Sequence, residues 1–560
     1  TCISQVRWSI LTVYVAVTIY NLHGQAVQLQ ERVVYMIKIK VNQIKMNIKH
    51  SIDDVVKEAL KKVHTQKNNL VSYKIIKKSI DARKSPIYIY AVQLELNKCN
   101  LKKLPKDVSI VKKEEKYIYN VTGNKKIENP PVVVGFGPAG MFCGYLLAKA
   151  GYNPIIIERG KDVDSRIIDV EEFWKTGKLN TESNVQFGEG GAGTFSDGKL
   201  NTGIKDKNGR QNFVLETFVK CGAPENIMYD SKPHIGTDIL QIVVKNLRKE
   251  IESLGGKILF ESKLTNIEKE GGFYNLEINN SEKIQSQICI LAIGHSARDT
   301  FEMLYNKSFP MEQKPFAIGV RVEHLQDMIN KSQYGVDDCE SLPAAPYKLT
   351  YNTKSKRGVY SFCMCPGGCV VNASSEDKRL AVNGMSYSAR DGKNANSAIV
   401  TTITPNDFES KHPLAGMYLQ RELEEKAFYE GKGAIPVQLY GDFINNKISH
   451  EFGNVIPDIK GKYSFANIKN VLPKHICDSI EEAMPYFGKK IQGFDNKDTV
   501  FAAIESRTSS PVRIIREDDF QSVFKGIYPC GEGAGYAGGI TSAAIDGIKV
   551  FESIISEFRP

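Results

Sequence analysis

A glycine-rich turn between an apolar run and a helical pattern is where the sequence first indicates chemistry. The stretch VVVGFGPAGMFCGYLLAKA, residues 132–150, places Gly135, Gly137 and Gly140 in a GxGxxG spacing. In a strand–turn–helix unit the first glycine allows the tight turn, the second lets the backbone approach a pyrophosphate, and the third lets the helix pack on the strand. The helix then directs its positive end toward the phosphates. This spacing predicts a dinucleotide site, to which we also assign the flanking Pro138 and Ala139.

An acidic residue follows the glycines at the distance that such a site requires. The run NPIIIERG ends a second predicted strand at Glu158, and Arg159 comes next. An acid about 20 residues after the glycines is placed to bind ribose hydroxyls, and it disfavours a 2′-phosphate. We therefore predict that both residues belong to the cofactor site. The alternative is a glycine-rich turn in an ordinary α/β domain, which would not require the later acid.

Composition limits the function classes that fit this chain. A length of 560 residues predicts more than one domain, and 42% hydrophobic and 25% charged residues are typical of a soluble enzyme. The formal charge of +10 comes largely from lysines early in the chain, without interleaved aromatic residues and glycines, so a solvated surface is favoured over nucleic-acid binding. Eleven scattered cysteines, with Cys143 and Cys289 in apolar patterns, indicate a reducing, cytoplasmic compartment.

The N-terminal segment contains one candidate targeting sequence. WSILTVYVAVTIY, from Trp8 to Tyr20, is short for a membrane span but has the length of a signal-peptide core after Arg7. The chain begins with Thr1 and has no methionine before Met36, where a small domain is predicted to start. We therefore interpret residues 1–35 as a mispredicted or non-native extension and expect no membrane attachment.

Hydrophobic periodicity divides the remaining chain. Residues 36–105 predict strand, helix, strand and strand in a small α+β domain, and residues 106–130 predict a linker rich in Lys, Asn and Pro. Residues 131–304 and 501–560 predict one α/β nucleotide-binding domain, because residues 288–293 form an apolar run typical of a buried parallel strand. Residues 305–500 alternate strand and helix patterns and predict an inserted α+β substrate or cap domain.

Three separated segments resemble flavoproteins of the glutathione-reductase type. They are GFGPAG with its later acid, the apolar strand that ends at Gly294, and PCGEGAGYAGGITSAAIDG before the last helix. Longer strings, SNVQFGEGGAGTFSDGKL, YSFCMCPGGCVVNASSE, NGMSYSARDGKNANSAIV and ESRTSSPVRI, resemble the mostly bacterial family of uncharacterised FAD-dependent, NAD(FAD)-utilising dehydrogenases. This second resemblance covers the chain from about Met36 to its end. It implies a Rossmann-like FAD domain in which the three glycines hold the pyrophosphate and Glu158 holds the adenosine ribose.

The resemblance also assigns roles near the C-terminus. Glu532 stands where such proteins usually have an Asp that contacts the ribityl chain or a phosphate. The helix entered at Ile540 and Thr541 is expected to point its N-terminus at the flavin ring, and Gly531 and Gly539 belong to the same turn. A plain helix cap is the alternative, but five glycines between Gly531 and Gly539 exceed what a cap requires.

A long glycine-rich loop, residues 186–199, is expected to line the flavin. Gly190 and Gly191 allow close backbone approach, and Thr194, Ser196 and Lys199 are candidate hydrogen-bond donors to flavin oxygens. Such loops in compact enzymes usually carry function. The alternative is structural, because Ser196-Asp197-Gly198 is also a favourable turn.

Three residues are candidates for chemistry beside the flavin. His295 ends the buried strand and is predicted to transfer protons or contact the flavin, although a satisfied buried histidine is an equal alternative. Arg507 is predicted to clamp a substrate carboxylate or phosphate, unless it is the structural partner of a carboxylate. CMCPGGC would place Cys363 and Cys365 on one strand face. No second cysteine pair lies nearby in sequence to complete four metal ligands. We therefore predict no metal site and keep Cys365 as a candidate thiol.

The sequence therefore predicts an FAD-dependent oxidoreductase that passes a hydride or two electrons through bound FAD to or from a small-molecule substrate. One GxGxxG unit leaves no dedicated nicotinamide domain, so NADH or NADPH would bind transiently in the substrate cavity. One alternative is a flavin monooxygenase or saturating reductase that acts on a lipid-like substrate. Another is a flavin-bearing RNA-binding or interaction protein that uses the small N-terminal domain.

Overall fold

The computed structural model describes residues 36–99, 104–111 and 116–560, which form two compact units. The smaller unit comprises the residues up to 114 together with 228–231, and the larger unit comprises residues 115–227 and 232–560. The apolar segment from Trp8 to Tyr20 lies outside the described residues. Within the described ranges no helix is long and apolar enough to cross a membrane.

The smaller unit is a four-stranded antiparallel sheet with a helix packed on one face. Its elements are β1 (Ile37–Met46), α1 (Ile52–Lys62), β2 (Leu70–Asp81), β3 (Ile87–Leu96) and β4 (Val108–Ile110), in sheet order β2-β3-β1-β4. Ser51 and Asp54 begin α1 with a reciprocal capping box. The apolar stripe of α1 packs on alternate sheet residues such as Ile39 and Val92. The predicted strand, helix, strand, strand order is present, and β4 lies in the region predicted as linker because Val108 joins this core.

The larger unit is built from the remaining elements in mixed α/β order. Its strands are β5 (Lys125–Lys126), β6 (Val132–Val134), β7 (Ile155–Ile157), β8 (Lys257–Leu259), β9 (Leu264–Glu270), β10 (Phe273–Ile278), β11 (Glu282–Ser286), β12 (Cys289–Leu291), β13 (Met311–Gln313), β14 (Phe316–Leu325), β15 (Thr350–Asn352), β16 (Gly358–Cys365), β17 (Cys369–Asn372), β18 (Val382–Met385), β19 (Asn394–Ile403), β20 (Ile435–Leu439), β21 (Ile459–Lys460), β22 (Tyr463–Phe465), β23 (Val500–Glu505), β24 (Val512–Ile514), β25 (Ile527–Pro529) and β26 (Phe558–Arg559). Its helices are α2 (Pro138–Lys149), α3 (Val163–Thr176), α4 (Arg210–Lys220), α5 (Thr237–Ser253), α6 (Arg298–Asn306), α7 (Gln326–Tyr334), α8 (Ala415–Glu430), α9 (Tyr440–Ile444), α10 (Lys474–Lys490) and α11 (Ile540–Glu557).

Five short parallel strands organise the predicted nucleotide-binding region in the order β25-β12-β6-β7-β8. Val132–Val134 of β6 and Cys289–Leu291 of β12 are wholly buried, as expected for central parallel strands. Helices α2 and α11 touch at Gly547, where a Cβ atom would collide with the carbonyl oxygen of Ala139. This backbone-to-backbone approach holds the first turn of α2 beside the C-terminal segment of the chain.

A seven-stranded sheet, β15-β16-β19-β14-β23-β20-β22, forms the centre of the predicted cap. A three-stranded sheet, β18-β17-β21, lies against it, and Arg321 of β14 is buried between the two. The guanidinium of Arg321 binds both carboxylate oxygens of Glu505, at 2.9 and 3.0 Å. Because β23 pairs with β14 and β20, the chain leaves this sheet after Glu505 rather than at the predicted boundary of residue 500.

The contact between α2 and α11 gives a prediction about stability. Replacing Gly547 by Ala puts a methyl group against the Ala139 carbonyl, and we expect a net loss of about 1–2 kcal/mol in the free energy of unfolding. The loss is limited by the roughly 1 kcal/mol that Ala gains over Gly in a helix. Urea denaturation measures the free energy of unfolding of the variant and of the original chain. The control is Gly272→Ala, where a Cβ meets no atom within 4 Å; equal stability of the two variants would contradict the prediction.

Candidate functional site

The turn after β6 has the geometry that the GxGxxG spacing predicts. Gly135 has a φ of +102°, and a Cβ there would collide with the carbonyl of Ala292 at the end of β12. A Cβ on Gly140 would collide with the carbonyl of Gly135. Gly137 is the N-cap of α2 and receives no side-chain cap, and Pro138 occupies the first helical position. A Cβ on Gly137 would have one neighbour within 4 Å, the Cα of Gly191, so the helix start is open to close approach.

Glu158 connects three parts of the chain through its carboxylate. Its Oε2 accepts the N–H of Phe136, and its Oε1 accepts the N–H groups of Gly160 and Gly188, each at 2.9 Å. The side chain is buried. A carboxylate offers about four acceptor positions, so one remains for a hydroxyl group such as that of a ribose. The adjacent Arg159 is engaged elsewhere, since it binds Asp299 with two hydrogen bonds and also pairs with Glu182.

Arg166 shapes the glycine-rich loop, and sequence reasoning missed it. This fully buried side chain on α3 donates to the carbonyl oxygens of Asn184, Val185, Glu189 and Gly191 at 2.7–3.0 Å. Burial lowers its pKa to about 10. A signal was present in the sequence, because Arg166 lies three residues after Val163 and four before Val170 on the buried stripe of α3. A charged residue at such a position indicates a specific internal partner.

The loop of residues 186–200 contacts both the turn after β6 and the N-terminus of α11. The Gly190 N–H donates to the carbonyl of Phe136 at 2.9 Å, and the hydroxyl of Thr541 donates to the carbonyl of Leu200 at 2.9 Å. A Cβ on Gly193 would contact Ile540 at 3.2 Å. The hydroxyl of Thr194 donates to Glu189 and that of Ser196 to Gly193. Each hydroxyl has a single proton, so donation to a flavin would require one of these bonds to break.

Lys199 belongs to a three-residue ion cluster. Its ammonium lies 3.0 Å from Oδ2 of Asp197, whose carboxylate also binds the guanidinium of Arg390 through both oxygens. Burial would raise the pKa of Asp197, but Lys199 and Arg390 hold it well below its usual value. Two cations therefore face one carboxylate. The Lys199 side chain is 36% exposed, so its remaining N–H groups are available to a bound molecule.

The C-terminal glycine turn lies against the end of β12. A Cβ on Gly533 would be 2.5 Å from the carbonyl of Gly294, which itself has a φ of +70°. A Cβ on Gly531 would be 2.6 Å from that of Ala139, and the Gly531 N–H donates to Asp546 at 2.8 Å. The β12 and β25 ends and the start of α2 are thereby brought together. Gly539, the N-cap of α11, and Gly294 both have open space where a Cβ would stand.

His295 and Glu532, predicted separately from the sequence, form a pair at this edge. Nδ1 of His295 lies 3.4 Å from Oε1 of Glu532. The His295 side chain is 10% exposed, and its Nε2 makes no hydrogen bond within the described part of the chain. A buried ring nitrogen without a partner is costly. It therefore indicates a group that Nε2 would bind.

Arg507 is held by protein groups. Its guanidinium binds both oxygens of the buried Glu424, at 3.0 and 2.9 Å, and the hydroxyls of Ser296 and Ser375. Burial would raise the pKa of Glu424, but Arg298 and Arg507 keep it well below its usual value. Four of the five N–H groups of Arg507 are used in this way. The geometry corresponds to the structural-partner alternative rather than to the predicted substrate clamp.

The two cysteines expected on one strand face lie in different surroundings. A bulge in the pairing of β16 with β19 falls between Phe362 and Cys365, and Cys363 has a φ of +42°. Cys363 is exposed, whereas Cys365 is buried and its thiol donates to the carbonyl of Cys363 at 3.2 Å. The inserted residue changes the alternation of side chains. Burial raises the pKa of Cys365, which disfavours the reactive thiolate.

The residues at this edge fit an FAD molecule by several independent features. Gly137, Gly294 and Gly539 leave open space at the ends of adjacent elements, and the carboxylate of Glu158 keeps one acceptor position. The start of α2 offers backbone N–H groups without a side-chain cap, which suits a phosphate. His295 supplies a buried nitrogen that has no partner among the residues the structure describes. Direct contacts from the individual residues to a cofactor remain predictions.

Known proteins resemble this chain at three levels. Residues 315–508 match the family described as FAD-dependent protein, C-terminal domain-like, and residues 36–95 match a domain of unknown function, DUF8436. An uncharacterized protein of Clostridium beijerinckii is 49% identical over 532 residues, which cover 93% of this chain and 99% of that protein.

Two solved structures show a more distant likeness. CtdE in complex with FAD is 11% identical with a TM-score of 0.32, covering 77% of this chain and 84% of its own. CmlS, a flavin-dependent halogenase, is 13% identical with a TM-score of 0.34, and the match covers 77% of this chain and 59% of the CmlS chain. At these scores neither structure bears on the activity of this chain.

The hydrogen bonds of Arg166 give a prediction about the loop. Arg166→Met keeps much of the side-chain length but leaves four buried carbonyls without their donor, so we expect a loss of about 3 kcal/mol or more in the free energy of unfolding. Hydrogen exchange in residues 184–191 should accelerate more than exchange in β6. Arg513→Met is the control, because the Arg513 side chain is 40% exposed. Unchanged exchange in the loop would contradict the assigned role.

Proposed function

Because this chain belongs to one family with the Clostridium beijerinckii protein, and residues 315–508 match the C-terminal domain-like family of FAD-dependent proteins, we propose that it is an FAD-dependent oxidoreductase. It transfers a hydride or two electrons to or from a small-molecule substrate through FAD held at the carboxyl edge of the five-stranded sheet. Bound FAD supplies the chemistry of a two-electron acceptor and donor. Residues of the chain bind it, orient it and exclude water from it.

One observation carries the proposal: three glycine segments from distant parts of the sequence meet at the carboxyl ends of β6, β12 and β25. Ligands in open parallel sheets bind outside this edge. The parallel order β25-β12-β6-β7-β8, with the antiparallel hairpins β9-β10-β11 inserted between β8 and β12, supports the glutathione-reductase type of layout. The edge also contains the acid expected for a ribose.

The residues have distinct proposed roles. The open start of α2 at Gly137 binds the pyrophosphate, and the remaining acceptor position of Glu158 binds a ribose hydroxyl. Nε2 of His295, held by Glu532 at Nδ1, binds the ribityl chain or a phosphate oxygen. Lys199, kept in place by Asp197, donates to a flavin oxygen from the loop that surrounds the start of α11. NADH or NADPH, if it is a substrate, binds transiently at the substrate site rather than in a domain of its own.

Absorbance spectroscopy of the purified protein tests the proposal. We expect flavin bands near ~450 nm that bleach when NADH, NADPH or a reducing substrate is added without oxygen. Folded protein that binds no FAD, even after incubation with excess cofactor, would overturn the proposal. Flavin that stays oxidised with both nicotinamides would retain the cofactor assignment and restrict the electron donor to another class of substrate.

The His295–Glu532 pair gives a prediction about cofactor affinity. His295→Phe keeps an aromatic side chain but removes both ring nitrogens, and we expect the FAD dissociation constant to rise about tenfold, which corresponds to ~1.4 kcal/mol. Glu532→Gln should weaken binding less, and the double variant should lose less than the sum because the residues act together. Titration of apoprotein with FAD measures the affinity. The exposed His450→Asn is the control, and unchanged affinity in His295→Phe would remove His295 from the site.

A further inference from the structure

The positive charge of the chain is concentrated in the smaller unit. Residues 36–114 contain nineteen lysines and arginines against seven aspartates and glutamates, whereas residues 115–227 and 232–560 have a slight excess of acids. A general bias of composition toward lysine would affect both units. An asymmetry of this size between parts of one chain indicates an anionic partner for the basic part.

Helix α1 does not carry the excess positive charge of the smaller unit. Each lysine in the second half of α1 lies near a carboxylate: Lys57 pairs with Asp54, Lys61 with Glu58, and Lys62 with Asp107, at 3.4, 3.5 and 3.1 Å. The first turn of α1 is acidic. Its three lysines are matched by Asp53, Asp54 and Glu58, so α1 contributes no net positive charge.

The sheet surface opposite α1 carries a set of lysines that we call the basic sheet face. Side chains alternate along a strand, and those of Ile39, Val41 and Val92 point toward α1. The register pairs Lys40 with Gln93, and Gln93 with Lys74, on the other surface. Lys45 pairs with Ile89 and Lys77 with Ala91 on that same surface. The face is defined by Lys38, Lys40, Lys45, Lys74 and Lys77.

Carboxylates on the basic sheet face are already neutralised. The carboxylate of Glu95 lies 3.6 Å from the ammonium of Lys38 and accepts a hydrogen bond from the hydroxyl of Ser72. Asp81, at the end of β2, pairs with Arg83. Lys40, Lys45 and Lys77 form no ion pair with any residue in the described ranges. Lys45 and Lys77 are exposed and Lys40 is partly so. Three ammonium groups on β1 and β2 are therefore available to an external anion.

The spacing of these groups suits a chain of phosphates. Strands β1 and β2 flank β3, so Lys40 and Lys74, which both pair with Gln93, stand about 10 Å apart across the sheet. Lys77 lies beside Ala91 and Lys45 beside Ile89 on the same surface. No aromatic residue shares the register of this face to stack with bases. We propose that the basic sheet face binds the phosphate backbone of single-stranded nucleic acid, without preference for base sequence. The composition alone favoured a solvated surface, because interleaved aromatic residues are absent, but phosphate contacts do not require them.

Binding of fluorescently labelled oligonucleotides to the full chain tests this inference. We use a mixed-sequence 20-nucleotide single strand, as RNA and as DNA, and measure anisotropy from about 50 to 200 mM salt. We expect binding at low salt that weakens as salt rises, with a slope of about −0.7 per phosphate contact. Binding of both the RNA and the DNA oligonucleotide supports phosphate recognition. A preference for the RNA would identify the 2′-hydroxyl as a further contact.

Matched variants locate the surface. Changing Lys40, Lys45 and Lys77 together to Gln should weaken binding at least tenfold and reduce the salt slope by about 2. The same lysines changed to Arg should retain binding, which separates loss of charge from loss of folding. The control changes the exposed Lys354, Lys426 and Lys474 of the larger unit to Gln and should leave binding unchanged.

Four results would overturn the inference. They are no binding at 50 mM salt, binding that does not respond to salt, equal weakening by the control variant, and tighter binding to vesicles containing anionic lipid than to either oligonucleotide. The last result would assign the face to a membrane surface instead. Because the inference depends only on the smaller unit, it is independent of the proposed cofactor, and the flavin spectrum does not decide it.

Discussion

The candidate site depends on the buried carboxylate of Glu158. It receives N–H groups from the turn after β6, from the residue pair after β7, and from the glycine-rich loop, through Phe136, Gly160 and Gly188. A buried carboxylate is tolerated when hydrogen bonds replace its water, and bonds to a charged acceptor are stronger than neutral ones. One side chain therefore joins the three segments, and backbone bonds from Gly135 to Ile157 and from Gly190 to Phe136 join them as well. Together these bonds hold the turn that precedes the open start of α2.

The buried guanidinium of Arg166 binds the same glycine-rich loop that Glu158 binds. Arg166 collects four carbonyl oxygens from residues 184–191, while Glu158 takes an N–H from Gly188 of the same segment. The glycines at 188, 190 and 191 have φ values of +119°, +85° and +62°, which other residues rarely adopt. The loop is thus ordered by side chains and backbone of the protein itself. A ligand that meets an ordered loop loses less affinity to conformational entropy than one that must order it.

Local patterns predicted the parts of the site that depend on neighbours in sequence. GFGPAG forms the predicted strand, turn and helix, and the carboxylate of Glu158 reaches the turn from the end of the neighbouring strand β7. The environments of Arg507, Cys363 and Cys365 could not be predicted, because each depends on a distant element. Arg507 is occupied by Glu424 of α8, and the bulge at Cys363 arises in the pairing of β16 with β19. No spacing within ESRTSS or CMCPGGC encodes these partners.

A buried ion network joins the cofactor edge to the cap within the larger unit. Glu424 of α8 accepts hydrogen bonds from Arg298 of α6 and from Arg507, which lies two residues after β23. Arg507 also donates to Ser296, whose hydroxyl donates to Gln186 of the glycine-rich loop. Buried ion pairs contribute little net stability but are costly to break singly. In this protein the ion pairs matter more because they hold α6, α8 and the segment after β23 together.

The network connects the cap to Ser296, the residue next to His295. The hydroxyl of Ser296 is shared between the network and the loop. On its other side His295 faces Glu532 of the C-terminal turn. The surroundings of His295 are therefore supplied by elements that are far apart in sequence. A displacement of α8 or β23 that moved Arg507 would break its bond to Ser296 or shift Ser296, which a single peptide bond joins to His295.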